Sequence, residues 1–105
     1  AWNRHDLEAI LSHYAEDVDF TSPLVATLLN NASGNIRGKA ALKSYFEKGL
    51  ASYPDLKFEA LQILVGVHSV VIYYRSVQNR LAAEFMVLNE QGLVAIANAH
   101  YNPSV

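Results

Sequence analysis

The sequence predicts a single α+β domain, a strongly curved antiparallel sheet packed on helices around one apolar pocket. Three observations carry this expectation. The chain has 105 residues, enough for one domain with no room for a second. Before Tyr53 most apolar residues recur at helical spacing, and from Leu56 onward they alternate. The alternating part divides into four runs joined by short turns, and helices followed by such a meander make an α+β architecture.

The elements follow in order. Asp6 reads as an N-cap for a short amphipathic helix with Leu7, Ile10, Leu11 and Tyr14 on its apolar face, ending near Ala15, Glu16 and Asp17. Val18 to Ser22 alternates and stops at Pro23, as an edge strand does. Leu24 to Leu29 predicts a short helix closed by the turn residues Asn30 to Gly34. Gly38-Lys39-Ala40 opens a second amphipathic helix with Leu42, Tyr45, Phe46 and Leu50 on one face, and Tyr53-Pro54-Asp55 breaks it. The four strands span roughly Leu56–Val65, Ser69–Val77, Arg80–Leu88 and Leu93–Tyr101. Their short connections require antiparallel neighbours.

Composition excludes several function classes. About 51% of the residues are hydrophobic and 17% charged, so a packed core is expected and disorder is not. The eight Lys and Arg are scattered and the net charge is −2, which gives no footprint for nucleic acid. No apolar run approaches the ~20 residues of a membrane span, and the polar start gives no signal peptide, so the cytoplasm is the default expectation. The absence of Cys removes disulfides, thiolate zinc sites and cysteine nucleophiles. His5, His13, His68 and His100 share no metal-ligand spacing, so neither metal nor cofactor is expected. The segment from Gly34 to Ala40 departs from a phosphate loop in both spacing and hydroxyl, and reads as a loop closing onto a helix.

Register assigns the faces of the meander. If Gln78-Asn79 is a two-residue turn, Arg75 opposes Ala82 and Tyr73 opposes Glu84, and opposed residues share a face. Val71, Tyr73, Arg75, Ala82, Glu84 and Met86 then line one side, with Ala95, Ala97, Ala99 and Tyr101. The other side carries Ile72, Tyr74, Phe85, Val87, Ile96, Asn98 and His100. Both sides are largely apolar, so both need cover, and a second copy of the chain is the expected partner for the outer one. The first side holds an acid and a base among small alanines, the pattern of a sparsely polar ligand cavity. Glu84 and Arg75 are the catalytic candidates, and Tyr14, Ser22, Tyr45, Tyr73, Met86 and Tyr101 the ligand-binding ones. Each has a plainer alternative. Glu84 and Arg75 can form a structural ion pair, the tyrosines can be core packing, and Ser22 can be a turn or cap residue before Pro23.

Trp2, His5, Asp6 and Leu7, then Tyr14 to Pro23, resemble the opening of SnoaL-like and ketosteroid-isomerase-like domains of the nuclear-transport-factor-2-like superfamily. Gly38 to Leu42 is similar to their next helix start, and Val70–Arg75 and Gly92–Tyr101 resemble their strands. The resemblance covers nearly the whole chain and implies a cone-shaped, usually dimeric fold with a pocket between sheet and helices. It also implies that residues 1–105 form one such domain without the family's first helix, or most of it, where the isomerases carry an oxyanion tyrosine. Ser22 stands where the isomerases have their catalytic Asp, which argues against steroid isomerisation, while Glu84 matches their oxyanion-stabilising acid. The expected function is binding of a small apolar molecule, by an isomerase, cyclase or hydrolase working by acid–base chemistry on a polyketide-, steroid- or epoxide-like substrate. The alternative is a non-catalytic dimerisation or ligand-binding module.

Overall fold

The computed structural model describes residues 6–103, so Trp2 and His5 lie outside the described residues. Its elements are α1 (Leu7–Leu11), β1 (Tyr14–Thr21), α2 (Pro23–Leu28), β2 (Asn35–Arg37), α3 (Lys39–Ser52), β3 (Glu59–Val65), β4 (Ser69–Arg75), β5 (Leu81–Leu88) and β6 (Val94–Tyr101). The six strands form one mixed sheet in the order β2-β1-β6-β5-β4-β3, and with the helices this is the expected α+β class. One pair departs from the antiparallel expectation, because β1 runs parallel to β6. Parallel neighbours need a long crossover, and here everything from α2 to β5 lies between them.

Helix α1 is capped by Asp6, whose side chain accepts from Ala9 N at 3.2 Å. It stops after five residues, short of the predicted end. Tyr14 enters β1 instead, because Val94 N bonds His13 O at 2.8 Å and begins the pairing with β6. Sheet pairing outweighs the weak local helix preference of these residues. Glu16 and Asp17 are exposed where the β1–β6 register slips, and Val18 and Phe20 then turn into the core.

Thr21 ends β1, and Ser22 caps α2 by accepting from Leu24 N at 3.2 Å, with Pro23 in the first helical turn. The short strand β2 was not expected from the sequence. It is held to β1 by the Asn35 side chain, which donates to Thr21 Oγ1 at 2.9 Å and to Asp19. Gly34 has φ +66, and a Cβ there would lie 3.0 Å from Ser22 O. Glycine therefore lets this turn close onto Ser22. Helix α3 buries Leu42, Tyr45 and Phe46 against Tyr14, Val18 and Phe20 of β1, and Ile10, Leu11, Val25, Val94 and Ala97 complete the core.

The β4–β5 connection decides the faces. Ser76 N bonds Arg80 O at 2.7 Å around a single 3₁₀ turn, Val77–Asn79, with Gln78 and Asn79 at positive φ. The loop is thus three residues long rather than two. Arg75 pairs with Leu81, Tyr74 with Ala82 and Ile72 with Glu84. A one-residue change of register moves a strand's side chains to the opposite face. Tyr74 and Ile72 therefore point inward, and Tyr73 and Arg75 outward, the reverse of the expectation. The inward faces of β5 and β6 are as expected, but the pairing lies two residues further along β6 than a Glu90-Gln91 turn gives, with Ala82 opposite Tyr101, Glu84 opposite Ala99 and Met86 opposite Ala97. Only Ala95 is displaced, since Val87 pairs with Ile96 and Leu88 with Val94, leaving it as the extra residue of a bulge.

Candidate functional site

Between the inner face of the sheet and the helices lies a cavity of about 270 Å³. Helices α2 and α3 wall it with Leu24, Leu28, Phe46 and Leu50, and β1 with Tyr14 and Phe20. The segment before β3 adds Leu56 and Phe58, and the sheet contributes Ile72, Tyr74, Glu84, Met86, Ala99 and Tyr101. The wall is thus mostly apolar, and its polar groups are hydroxyls and one carboxyl.

That carboxyl belongs to Glu84, in the middle of β5 between Ile72 and Ala99. The Tyr74 hydroxyl donates to Glu84 Oε1 at 3.0 Å. Part of Glu84 remains accessible because it faces the cavity, yet the surrounding protein desolvates it. Burial therefore raises its pKa from 4.5, and the hydrogen bond from Tyr74 offsets part of that rise. The same apolar setting keeps the nearby tyrosines neutral. Tyr14, Tyr45, Tyr74 and Tyr101 are all raised, first by burial, with the Glu84 charge adding to the effect in each case.

Ring packing fixes where these hydroxyls point. Tyr14 meets Phe46 edge-on at 5.8 Å, Tyr45 tilts against Phe20 at 5.6 Å, and Tyr74 meets Phe58 edge-on at 5.6 Å. The Arg80 guanidinium lies 5.1 Å from the centre of the Tyr101 ring, and its Nη2 donates to Asn102 O at 2.9 Å. Arg80 thus packs on Tyr101 but is not among the residues that line the cavity.

The predicted site residues divide along the register. Glu84, Tyr14, Ser22, Tyr45, Met86 and Tyr101 all line the cavity. Arg75 and Tyr73 do not. Arg75 Nε lies 3.6 Å from Glu59 Oε1 across β3–β4, and Tyr73 is 39% exposed on the outer face. The residue that meets Glu84 is therefore Tyr74 rather than Arg75, and the cause is the extra residue in the β4–β5 turn. Tyr74 and Ser76 are the polar lining residues that the sequence reading missed. Residue type in the Val77–Asn79 turn gave no signal for them, because Gln78 takes a positive φ along with Asn79. Among the described residues no group of three or more His, Asp or Glu converges as a metal site, and no helix is long and apolar enough to cross a membrane.

Residues 1–95 match the family model of the SnoaL-like domain. The chain belongs to this SnoaL-like family. A SnoaL-like protein of unknown function from Burkholderia thailandensis shares 43% identity with it, at a TM-score of 0.93, over 98% of this chain and 86% of that one. An epoxide hydrolase/cyclase-like enzyme, SalBIII, described in pyran ring formation in the polyether salinomycin, superposes at a TM-score of 0.75 with 16% identity, over 95% of this chain and 81% of that one. A candidate isomerase of the SnoaL-like family from Agrobacterium tumefaciens gives a TM-score of 0.75 with 12% identity, over 96% of this chain and 84% of that one. At such low identities the last two likenesses show the fold alone. No match was found among curated proteins.

Proposed function

We propose that this SnoaL-like chain binds a small apolar molecule in the cavity and acts on it as an isomerase, cyclase or hydrolase, with Glu84 as its neutral acid. The observation that carries the reading is the Tyr74–Glu84 hydrogen bond inside an otherwise apolar wall. A carboxylic acid held neutral by burial donates a proton, or a strong hydrogen bond, to an oxygen that gains negative charge. Because Tyr74 donates to Oε1, Oε2 is the oxygen left free to carry the acidic proton.

With an epoxide the step balances through Glu84 alone. The strained C–O bond breaks as the Glu84 proton passes to the epoxide oxygen. The carbon left behind bonds to a water or to a hydroxyl of the same molecule, and the proton released returns to the Glu84 carboxylate. Hydrolysis and ring closure then differ only in which oxygen attacks. The likeness of fold to an epoxide hydrolase/cyclase-like protein supports this class of chemistry. Ser22 supplies no carboxylate base, and its hydroxyl serves as the cap of α2.

Met86 lines the cavity and is the chain's one methionine, so its methyl signal in an NMR spectrum reports occupancy without ambiguity. Added 2-decanone is expected to shift that signal in a saturable manner. Opening of 1,2-epoxydecane is expected to fall by about 10²-fold in Glu84→Gln, the usual size of a lost acid catalyst, while 2-decanone still binds. A Met86 signal that neither compound moves would overturn the proposal.

A further inference from the structure

The inner face of the sheet sets its polar side chains in one continuous row. Tyr74 pairs with Ala82 and Ala82 with Tyr101, so the two tyrosines flank a small alanine that does not keep them apart. Their hydroxyls hydrogen-bond to each other, and the Ser76 hydroxyl reaches Tyr101 from the turn. On β5, Glu84 stands two residues beyond Ala82 and Arg80 two residues before it. Alternate residues of an extended chain share a face. The row of hydroxyls therefore runs between a buried acid and a cation.

The direction of its hydrogen bonds follows from the number of hydrogens. Tyr74 donates its one hydroxyl hydrogen to Glu84 Oε1 at 3.0 Å, so toward Tyr101 its oxygen accepts and Tyr101 is the donor. Arg80 acts on that donor. Its guanidinium lies 5.1 Å from the centre of the Tyr101 ring, and its charge works against the burial that raises the Tyr101 pKa. None of the ion pairs among the described residues includes Arg80, its Nε is buried without a hydrogen-bond partner, and its Nη2 rests on a backbone carbonyl. The cation is thus directed at Tyr101 rather than spent on a carboxylate.

Arg80 does not line the cavity, and Glu84 responds to its own burial and then to the Tyr74 hydrogen bond. At ~3.3 Å per residue the Arg80 and Glu84 backbones lie about 13 Å apart along β5. The titratable groups that meet the Glu84 charge are Tyr14 from β1, Tyr45 from α3, Tyr74 from β4 and Tyr101 from β6. Hydrogen bonds in series polarise one another. We propose that Arg80 and Tyr101 are positioning residues for Glu84, the guanidinium making Tyr101 a stronger donor to Tyr74 and so Tyr74 a stronger donor to the carboxylate that remains once Glu84 gives up its proton. The value of this to the reaction rests on the role proposed above for Glu84, since a buried acid that is too weak transfers its proton slowly.

A carboxyl-carbon NMR titration of Glu84 without ligand tests the relay, with Glu84→Gln assigning the signal. Tyr101→Phe keeps the ring under Arg80 and removes only the hydroxyl, and Arg80→Gln removes the charge while keeping a donor for Asn102 O. Each is expected to move the Glu84 pKa upward. The double variant should move it no further than Tyr101→Phe alone, because Arg80 acts through that hydroxyl, and Arg80→Lys should stay near the wild type. Shifts that add in the double variant would mean that Arg80 acts through space, which overturns the relay. A Glu84 pKa that falls in Tyr101→Phe would make Tyr101 a competitor for the Tyr74 hydrogen, and an unchanged one would make it a bystander; either result overturns the proposal even if Arg80→Gln fails to fold. No substrate enters the measurement, so inertness of 1,2-epoxydecane would strike the proposed reaction and leave this test standing.

Discussion

The Tyr74 hydroxyl donates to Glu84 Oε1 at 3.0 Å across the β4–β5 ladder, one residue away from where a two-residue turn would have placed the partner of this acid. This bond favours the carboxylate form and so works against the desolvation that raises Glu84. Tyr74→Phe keeps the ring against Phe58 and removes only the donor. It is expected to move the Glu84 pKa further up and to cost about 1 kcal/mol of stability. A carboxyl-carbon NMR titration of Glu84 in both proteins measures the shift, and movement downward would contradict this account.

The raised pKa of Glu84 makes stability depend on pH with a defined sign. The folded state holds a proton that the unfolded chain releases near 4.5. The contribution of this group is fully present below 4.5 and is lost as pH rises through its folded-state value. Glu84→Gln stays neutral throughout and escapes that loss. Melting temperatures from pH 4 to pH 8 should therefore show the variant gaining on the wild type as pH increases. A gap that narrows over the same range would mean Glu84 is stabilised as a charge.

Four desolvated tyrosines produce a second, alkaline signature. Burial leads the rise in Tyr14, Tyr45, Tyr74 and Tyr101, so the folded state holds their protons above the ordinary value of 10.0. By the same linkage, the stability tied to these protons is complete below 10.0 and declines as pH climbs beyond it. Absorbance near 295 nm should show these rings ionising in the same steep step in which circular dichroism reports unfolding. Gradual ionisation of all of them while the fold persists would show that the cavity is wet.

Arg75 shows where the sequence was legible and where it was not. The faces of Glu84, Met86, Ala99 and Tyr101 were read correctly because the three-residue loop between Asn89 and Leu93 and the bulge at Ala95 together shift the β5–β6 pairing by two residues, which leaves every face unchanged. β4 could not be read in the same way. Its inward set, Ile72 and Tyr74, and its outward set, Val71 and Tyr73, are equally apolar, so hydrophobicity does not choose between them. Only the length of the turn does, and Val77-Gln78-Asn79 is compatible with either length by residue type. β2 escaped notice for a different reason, since its three residues depend on side-chain contacts from Asn35 to β1 rather than on any periodicity. The outward Arg75 makes a partly exposed pair with Glu59, and such pairs contribute ~0–1 kcal/mol. Arg75→Met should therefore change stability by less than about 1 kcal/mol and leave the Met86 response to 2-decanone untouched. Loss of that response would return Arg75 to the site.

The outer face remains to be covered. Tyr73, Phe85 and Ile96 are 39%, 41% and 45% exposed on it, and Asn98 and His100 share it. In β4 its membership is the reverse of expectation, with Val71, Tyr73 and Arg75 in place of Ile72 and Tyr74. Large adjacent apolar side chains are unusual on a monomer's open sheet face and commonly mark an interface. A second copy suits this surface because a two-fold contact lets the same patch serve both partners. The Asn98 and His100 side chains would then hydrogen-bond within or around the contact. The expectation is a dimer of the wild-type chain in light scattering at micromolar concentration, with Phe85→Lys or Ile96→Lys shifting the mass to that of a monomer. Each substitution places an ammonium group in the middle of the patch, where a partner would have to bury it unpaired. Because both side chains point away from the core, the variants should retain the wild-type circular dichroism spectrum. A wild-type protein that scatters as a monomer would leave the face bare and refute the dimer.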